Sequence, residues 1–470
     1  MELVLSSPQV AARLPWRVAR LEWAAQGGPR RAWMQVELPP ALRPLDADLC
    51  DRLLGKPLSV IDADGAPCWW GCVHAVTLGT DGQAQRLSLD GFANRVAALY
   101  PLPGGGWAQT AWAQDDLSLE RWGLREVLLS QSGGGLAEAE AAREALLAGS
   151  AQPRWTAAAG IDQADGTLTL EARGWWEQLD WSHYAPEGGR VEHALSSGVS
   201  QPVGAAAANT KAAQSFRLNG ESWPVGEVWL RAGKRGTPTD ALRLELCADA
   251  GGAPGTVLAS AEVSAATLPF TPGWVRFALA GPTLSADTPY WLVLGRAGGL
   301  DAANTFTAQL SEELSYPGGE CRLWDGGTWS LRQPPADLGF CVEGAQSAGE
   351  WIAALVGGHP FLNGVRFDMP LEQPVLRWRD GRSTLLAELQ TVLAACGCLA
   401  EVEADRALRV RPTPPRDAFA ATLRGGEIVD GHGRPWVAAR ALAGRWVRAG
   451  DAALWVENLV WEEGALRVEM

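Results

Sequence analysis

LRLEL (residues 242–246), WVRFAL (274–279) and YWLVLG (290–295) decide the reading of this chain. They are apolar-polar or continuously apolar, the patterns of half-buried and fully buried strands. Turn chemistry separates them: TPTD (237–240), DAGGAPG (249–255), SADTP (285–289) and DGG (325–327). Many short strands with regular turns and almost no helical pattern describe an antiparallel β-sandwich. The block runs over 184–344 and opens with the low-complexity run GAAAANTKAA (204–213) before its alternating strands. A sandwich can bring its termini together at one end, which lets it be inserted into a host loop. The flanks, 1–183 and 345–470, then read as one host interrupted by a guest.

The chain has 470 residues, room for about three domains. Apolar content of 47% and charged content of 20% describe a globular protein. A formal charge of −14 argues against a general binder of nucleic acid or anionic membrane, since both demand basic patches. With Lys56, Lys211 and Lys234 the only lysines, nearly all positive charge is arginine. The 24 tryptophans exceed what the core of a monomer needs, so partner surfaces are expected. MELVLSSPQV lacks the features of a secretory signal, and no apolar run is long enough to span a membrane. The eight cysteines lack framework spacing and read as buried thiols of a protein made in a reducing cytoplasm.

The host is β-rich. WRVARLEW (16–23), AWMQVEL (32–38), PLSVIDADG (57–65), WWGCVHAVTL (69–78), RLSLDGF (86–92), TLTLEAR (167–173) and LRVRP (408–412) are strand candidates. LWVENLVW–EEG–ALRVEM (454–470) reads as a closing hairpin. Helices are expected for DLSLERWGLREVLLS (116–130), capped by Asp116, and for LAEAEAAREALLA (136–148), with Leu146 and Leu147 inward. SAGE (347–350) is a capping box ahead of a helix carrying Trp351, Ile352, Leu355 and Val356. STLLAELQTVLAAC (383–396) is a one-faced helix stopped by Gly397. A faint echo joins two stretches: a DG turn, an L-x-L strand, then Gly91-Phe92 with Val96 and Tyr100, recurring as DG, L-x-L, then Gly174-Trp175 with Leu179 and Tyr184. The offset of about 83 residues suggests a duplicated barrel.

SLDGFANRVAALY (88–100), the following WAQDDLSLERWGLREVLLS and its Ala-rich helix, and GRSTLLAELQTVLAACGCLAEVEADRALRVRP (381–412) resemble the tail-hub or baseplate-hub proteins of bacteriophages. The guest, from AQSFRLNGESWPVGEVWLRAGKRG (213–236) to GTWSLRQPPADLGFCVEG (327–344), is similar to the "choice-of-anchor R"-like β-sandwich, a jelly-roll module resembling carbohydrate-binding modules. The resemblance implies an α+β, β-dominated fold. Two hub-type β-barrel regions with short helices (1–183 and 345–470) are interrupted by an antiparallel jelly-roll-like sandwich (184–344). It implies no catalysis and no cofactor. It further implies a homo-oligomeric ring, commonly a trimer, at the distal end of a tail tube. The partners would be tail-tube and distal-tail or fibre proteins, and the location the virion tail tip, after assembly in the bacterial cytoplasm. Neither specific nucleic-acid binding nor a membrane span is expected.

Chemistry-bearing residues give weaker signals. Cys68, Cys72 and His74 suggest a metal site, but residues four apart on a strand lie about 13 Å apart, too far to share one ion. Cys396 and Cys398 lack redox spacing. His74, His183, His193, His359 and His432 share no short spacing, and no H-E-x-x-H, G-x-S-x-G or phosphate-loop pattern occurs. No catalytic residue or metal ligand is assigned. Asp249 and Asp325 sit in turns with too few oxygens for a Ca²⁺ site. Paired carboxylates for glycoside hydrolysis stay open as an alternative. Flat indoles stack on sugar rings, so glycan contact falls to Trp223, beside a proline, and to Trp324 and Trp329, which flank the DGG turn. The latter two also have the spacing of a cross-strand pair. Trp229, Trp274 and Trp291 lie within strands and are assigned to the core. Three functions follow in order: structural tail-tip hub with an outward-projecting sandwich, glycan-binding adsorption protein, and glycan hydrolase.

Overall fold

The computed structural model describes residues 2–5, 14–41, 46–80, 83–102, 106–158, 166–184, 188–194, 198–312, 316–416, 418–424, 427–429, 442–449, 452–462 and 465–469. The protein is a β-dominated α+β chain. It divides into two compact units, one of Met1–Tyr184, Ile352–Leu371 and Gly381–Met470, the other of Ala185–Trp351 and Glu372–Asp380.

The second unit is an antiparallel sandwich. Its six-stranded sheet runs Pro254–Ser264, Ala241–Asp249, Pro289–Arg296, Lys211–Arg217, Cys321–Trp324, Trp329–Leu331. Its nine-stranded sheet is built on Trp223–Arg235, which pairs with Phe340–Ser347, Thr305–Ser311 and Gly273–Ala278. Alternation places Leu242, Leu244 and Leu246 in the core while Arg243 and Glu245 face away. Pro289–Arg296 is apolar as far as Gly295 because both its faces are covered: Tyr290, Leu292 and Leu294 enter the core, and Trp291 and Val293 join a small cluster on the other side. Phe216, Phe277, Phe306 and Phe340 fill the centre.

Two details differ from expectation. Strands Arg190–His193 and Val199–Val203 precede the low-complexity run, so the sandwich does not begin with it. The unit also extends past residue 344, because Pro374–Leu376 adds a strand against Ala345–Ser347. The capping box is present: Glu350 N–H donates to Ser347 Oγ at 3.2 Å, and Ser347 N–H donates back to the Glu350 carboxylate at 3.1 Å.

The host unit centres on the fourteen-residue strand Pro67–Thr80. Pro57–Ile61 and Gln83–Ser88 pair along one edge of it and Thr167–Arg173 along the other. The sheet continues through Gly28–Glu37, Arg17–Ala24, Asn458–Glu462 and Ala465–Glu469, so early and late segments of the chain meet in one sheet.

The two echoed segments therefore lie in one sheet, and they diverge after their glycines. Gly91 turns at φ +68 into strand Arg95–Pro101 of a separate sheet. Gly174 is needed for closeness: a Cβ there would lie 1.7 Å from the Pro29 carbonyl oxygen, and a 3₁₀ turn, Trp175–Trp181, follows.

The first expected helix is short. Asp115, in place of Asp116, caps Asp116–Trp122, accepting from Ser118 N–H at 2.9 Å. Gly123 ends it, and Glu126–Ser130 becomes a strand parallel to Arg95–Pro101. Leu136–Ser150 buries Leu147, and Leu385–Ala395, capped by Thr384, buries Leu385, Leu389, Val392 and Leu393. The stretch LWVENLVW is two strands, Ala452–Trp455 and Asn458–Glu462, in different sheets.

Candidate functional site

The sandwich carries an aromatic patch on the outer face of its six-stranded sheet. Trp324 and Trp329 are paired in register across their hairpin, with ring centroids 5.2 Å apart and planes tilted by 50°. Asp325 tightens the turn by accepting from Gly327 N–H at 2.8 Å and Thr328 N–H at 2.7 Å, which holds its carboxyl below the usual range. Trp329 packs against Ala213, Cys247, Trp291 and Val293. Arg322 lies over the Trp291 ring, 5.8 Å from its centroid. Trp291 itself is 1% exposed, and its indole N–H donates to Asp249 at 2.8 Å. Asp249 and Asp325 thus spend carboxylate oxygens on the protein's own donors.

Of the three tryptophans assigned to glycan contact, Trp324 and Trp329 are half-buried on this patch, and Trp223 is not available. It is 3% exposed, lies in the core, and rests on Gly344, where a Cβ would meet its ring at 2.7 Å. Of the tryptophans assigned to the core, Trp291 is buried, within the small cluster on the outer face of the six-stranded sheet. Trp274 departs from the assignment: it is 41% exposed on strand Gly273–Ala278 with Arg231 over its ring. Trp229 is half-buried, its indole N–H donating to Glu227 at 2.7 Å.

The nine-stranded sheet holds a carboxylate pair that sequence reading left unassigned. Glu227 and Glu343 stand directly opposite on neighbouring strands, 3% and 8% exposed. Arg276 donates to Glu227 at 2.6 Å, while Arg190 is 3.7 Å from Glu343. Burial pushes the Glu343 carboxyl up, Arg190 opposes this, and Glu227, within hydrogen-bonding reach, adds to it. A glycosidase pair flanks a scissile bond, with room between the two carboxyls for the substrate, whereas Glu227 and Glu343 are both buried in the sheet beside arginines.

In the host unit, a three-stranded sheet builds a charged cleft. Val365–Phe367 runs parallel to Leu408–Pro412, which is antiparallel to Cys398–Val402. Ala400, Val402, Leu408 and Val410 are buried. The alternate positions Arg366, Arg409, Glu401 and Arg411 line a cleft of about 530 Å³. Arg366 is paired with Glu403 and Asp405. Arg409 donates to Asp368 from Nε at 3.1 Å and Nη2 at 3.1 Å.

The sequence candidates for metal binding are engaged elsewhere. His74 is fully buried with Nε2 2.8 Å from Asp90, and Arg86 and Arg173 each reach the same carboxylate at 3.1 Å. Cys72 Sγ accepts from the Gln178 amide at 2.7 Å, and burial pushes its thiol up to about 12. Among the described residues no group of three His, Cys, Asp or Glu is placed to hold a metal ion. Cys68 and Cys396 are half-buried, where buried thiols were expected; the other six cysteines are buried. No helix of the described residues is long and apolar enough to cross a membrane.

No known protein-family profile matches the chain, and no curated protein matches it. Solved structures give distant similarities. The cysteine protease and lectin-like domains of Cwp84, a surface-layer-associated protein of Clostridium difficile, align at 10% identity and TM-score 0.25, over 39% of this chain and 40% of that one. A family 43 arabinoxylan arabinofuranohydrolase of Bacillus subtilis aligns at 11% identity and TM-score 0.18, over 59% and 63%. A chain of the T13 IBDV viral particle aligns at 9% identity and TM-score 0.17, over 70% and 73%. The chain thus spans less than two thirds of the first two structures, and none of these similarities assigns an activity.

Proposed function

We propose that the protein is a structural component of a phage tail tip or baseplate. In this reading the host unit assembles into a hub ring and the sandwich is an appended module. The observation that carries it is the host sheet, in which Arg17–Ala24 pairs with Asn458–Glu462, while residues 185–351 form a unit with its own core. A body completed by distant segments, with a guest that leaves its sheet intact, suits a scaffold with an insertion. The hub-like stretches 88–100 and 381–412 both belong to that body. Light scattering and negative-stain imaging of the full chain test it. The expected result is a closed ring, three copies for the trimer, and a monomer at all concentrations would count against the hub.

A second reading, glycan adsorption through the sandwich, is favoured by the half-buried Trp324–Trp329 pair beside Arg322. If it holds, Trp324→Ala abolishes most glycan-array signal, since an aromatic contact contributes about 1 kcal/mol or more. An unchanged array would remove the patch from consideration.

A further inference from the structure

The charged cleft of the host unit is unevenly neutralised. Arg366 and Arg409 are matched by Asp368, Glu403 and Asp405. Arg411, Arg445 and Glu401 also line the cleft, and among the described residues none of these three forms an ion pair. The cleft thus carries four arginines and four carboxylates, of which Arg411, Arg445 and Glu401 are the three without an ion pair among the described residues.

Arg411 is held in place. Its Nη2 donates to the Ala443 carbonyl at 3.3 Å. Gly444, at φ +69, lets the backbone pass where a Cβ would sit 2.9 Å from that nitrogen. Nη1 is buried with no hydrogen-bond partner among the described residues. Burial lowers the guanidinium below its ordinary value; Glu401 opposes the shift and Arg445 adds to it. A fixed, partly desolvated cation beside a second one is an arrangement that an anion relieves. Gly28, at φ +77, leaves room for the Glu401 side chain, which a Cβ there would meet at 3.2 Å.

We infer that the Arg411–Arg445 end of the cleft binds an oxyanion that retains a proton donor, either a hydrogen phosphate or the carboxylate of a hydroxy acid. Arg445 meets the anion's oxygens with its planar fork, Arg411 adds its fixed charge from the cleft wall, and Glu401 accepts the ligand's O–H. The cleft, at about 530 Å³, is larger than a lone anion, so the group is one end of a bigger molecule.

Calorimetric titration of the full chain at low salt, with sodium phosphate, sodium glucuronate and sodium sulfate, tests this. A dissociation constant on the order of 1 mM is expected for phosphate, glucuronate or both, and which of them binds tells a phosphorylated ligand from a sugar acid. Sulfate, which lacks the donor, is expected to bind about tenfold more weakly. Arg445→Gln, at an exposed position, weakens binding about tenfold, and Glu401→Gln narrows the gap between phosphate and sulfate. Saturation by none of the three salts overturns the proposal. So does binding unchanged in both Arg445→Gln and Arg411→Lys, and sulfate bound as tightly as phosphate overturns the role of Glu401.

Discussion

Phe340→Ala is expected to cost the sandwich about 3–5 kcal/mol, the usual loss for an aromatic truncated in a packed core. Phe340 is fully buried, its ring 5.1 Å from Tyr316 edge-on and 6.2 Å from Phe216, and its backbone pairs with both Leu230 and His193. No small shift of one strand refills the space, because the ring contacts residues from several strands. Among the described residues, the buried members of the core it belongs to lie within 191–342. Scanning calorimetry of the full chain should therefore show one transition falling by roughly 10 °C, with the transition of the host unit unmoved. If both move together, the two cores do not melt as separate units.

Glu343→Gln is expected to stabilise the sandwich at neutral and alkaline pH. Glutamine keeps the hydrogen bond to Glu227 and removes the charge that burial and Glu227 resist. In the wild type, Glu343 has a folded-state value above that of the unfolded chain. Between those two values the native state binds more protons than the unfolded state, so stability falls as pH rises, by at most about 1.4 kcal/mol per pH unit. The contribution is complete below the ordinary carboxylate value and lost as pH passes the raised one. The groups facing the pair are Arg276 on Gly273–Ala278, Arg190 on Arg190–His193, and Trp229 and Cys341 on the two carboxylate-bearing strands. Arg190 also pairs with Glu192. Burial pushes the Cys341 thiol up to about 12. Urea midpoints measured from pH 5 to pH 9 should diverge between wild type and variant, the wild type losing ground. Parallel curves would mean that Glu343 ionises without penalty.

What could be read from the sequence was local. The period-2 pattern in 242–246 and the turns around it define a sandwich strand by strand, and Ser347 with Glu350 marks a helix start within four residues. The DGG turn fixes the register that sets Trp324 against Trp329. The misreadings came from partners far away in the chain. Trp223 looked exposed beside Pro224, yet Gly344 makes the room that buries it. Glu227 and Glu343 are ordinary acidic residues until strand pairing sets them opposite each other. Arg411 alternates like any surface strand residue, and only Ala443 and Gly444, brought in by another sheet, make it a fixed cation. The continuous pattern of 454–461 concealed a change of sheet because two short strands in sequence share one periodicity.

The pairing of Arg17–Ala24 with Asn458–Glu462 has a consequence for biogenesis. A chain emerging from the ribosome presents residues 17–24 early, while the strand that covers their edge is made more than four hundred residues later. By then the whole of 185–351 has emerged and can close its own core, because domains fold as units in the order of synthesis. The guest is thus free to mature first while the host waits with an open strand edge, the kind of edge that invites wrong pairings. Completion of the host sheet is a long-range closure, slow by topology, which cannot occur before residues 458–462 have been made.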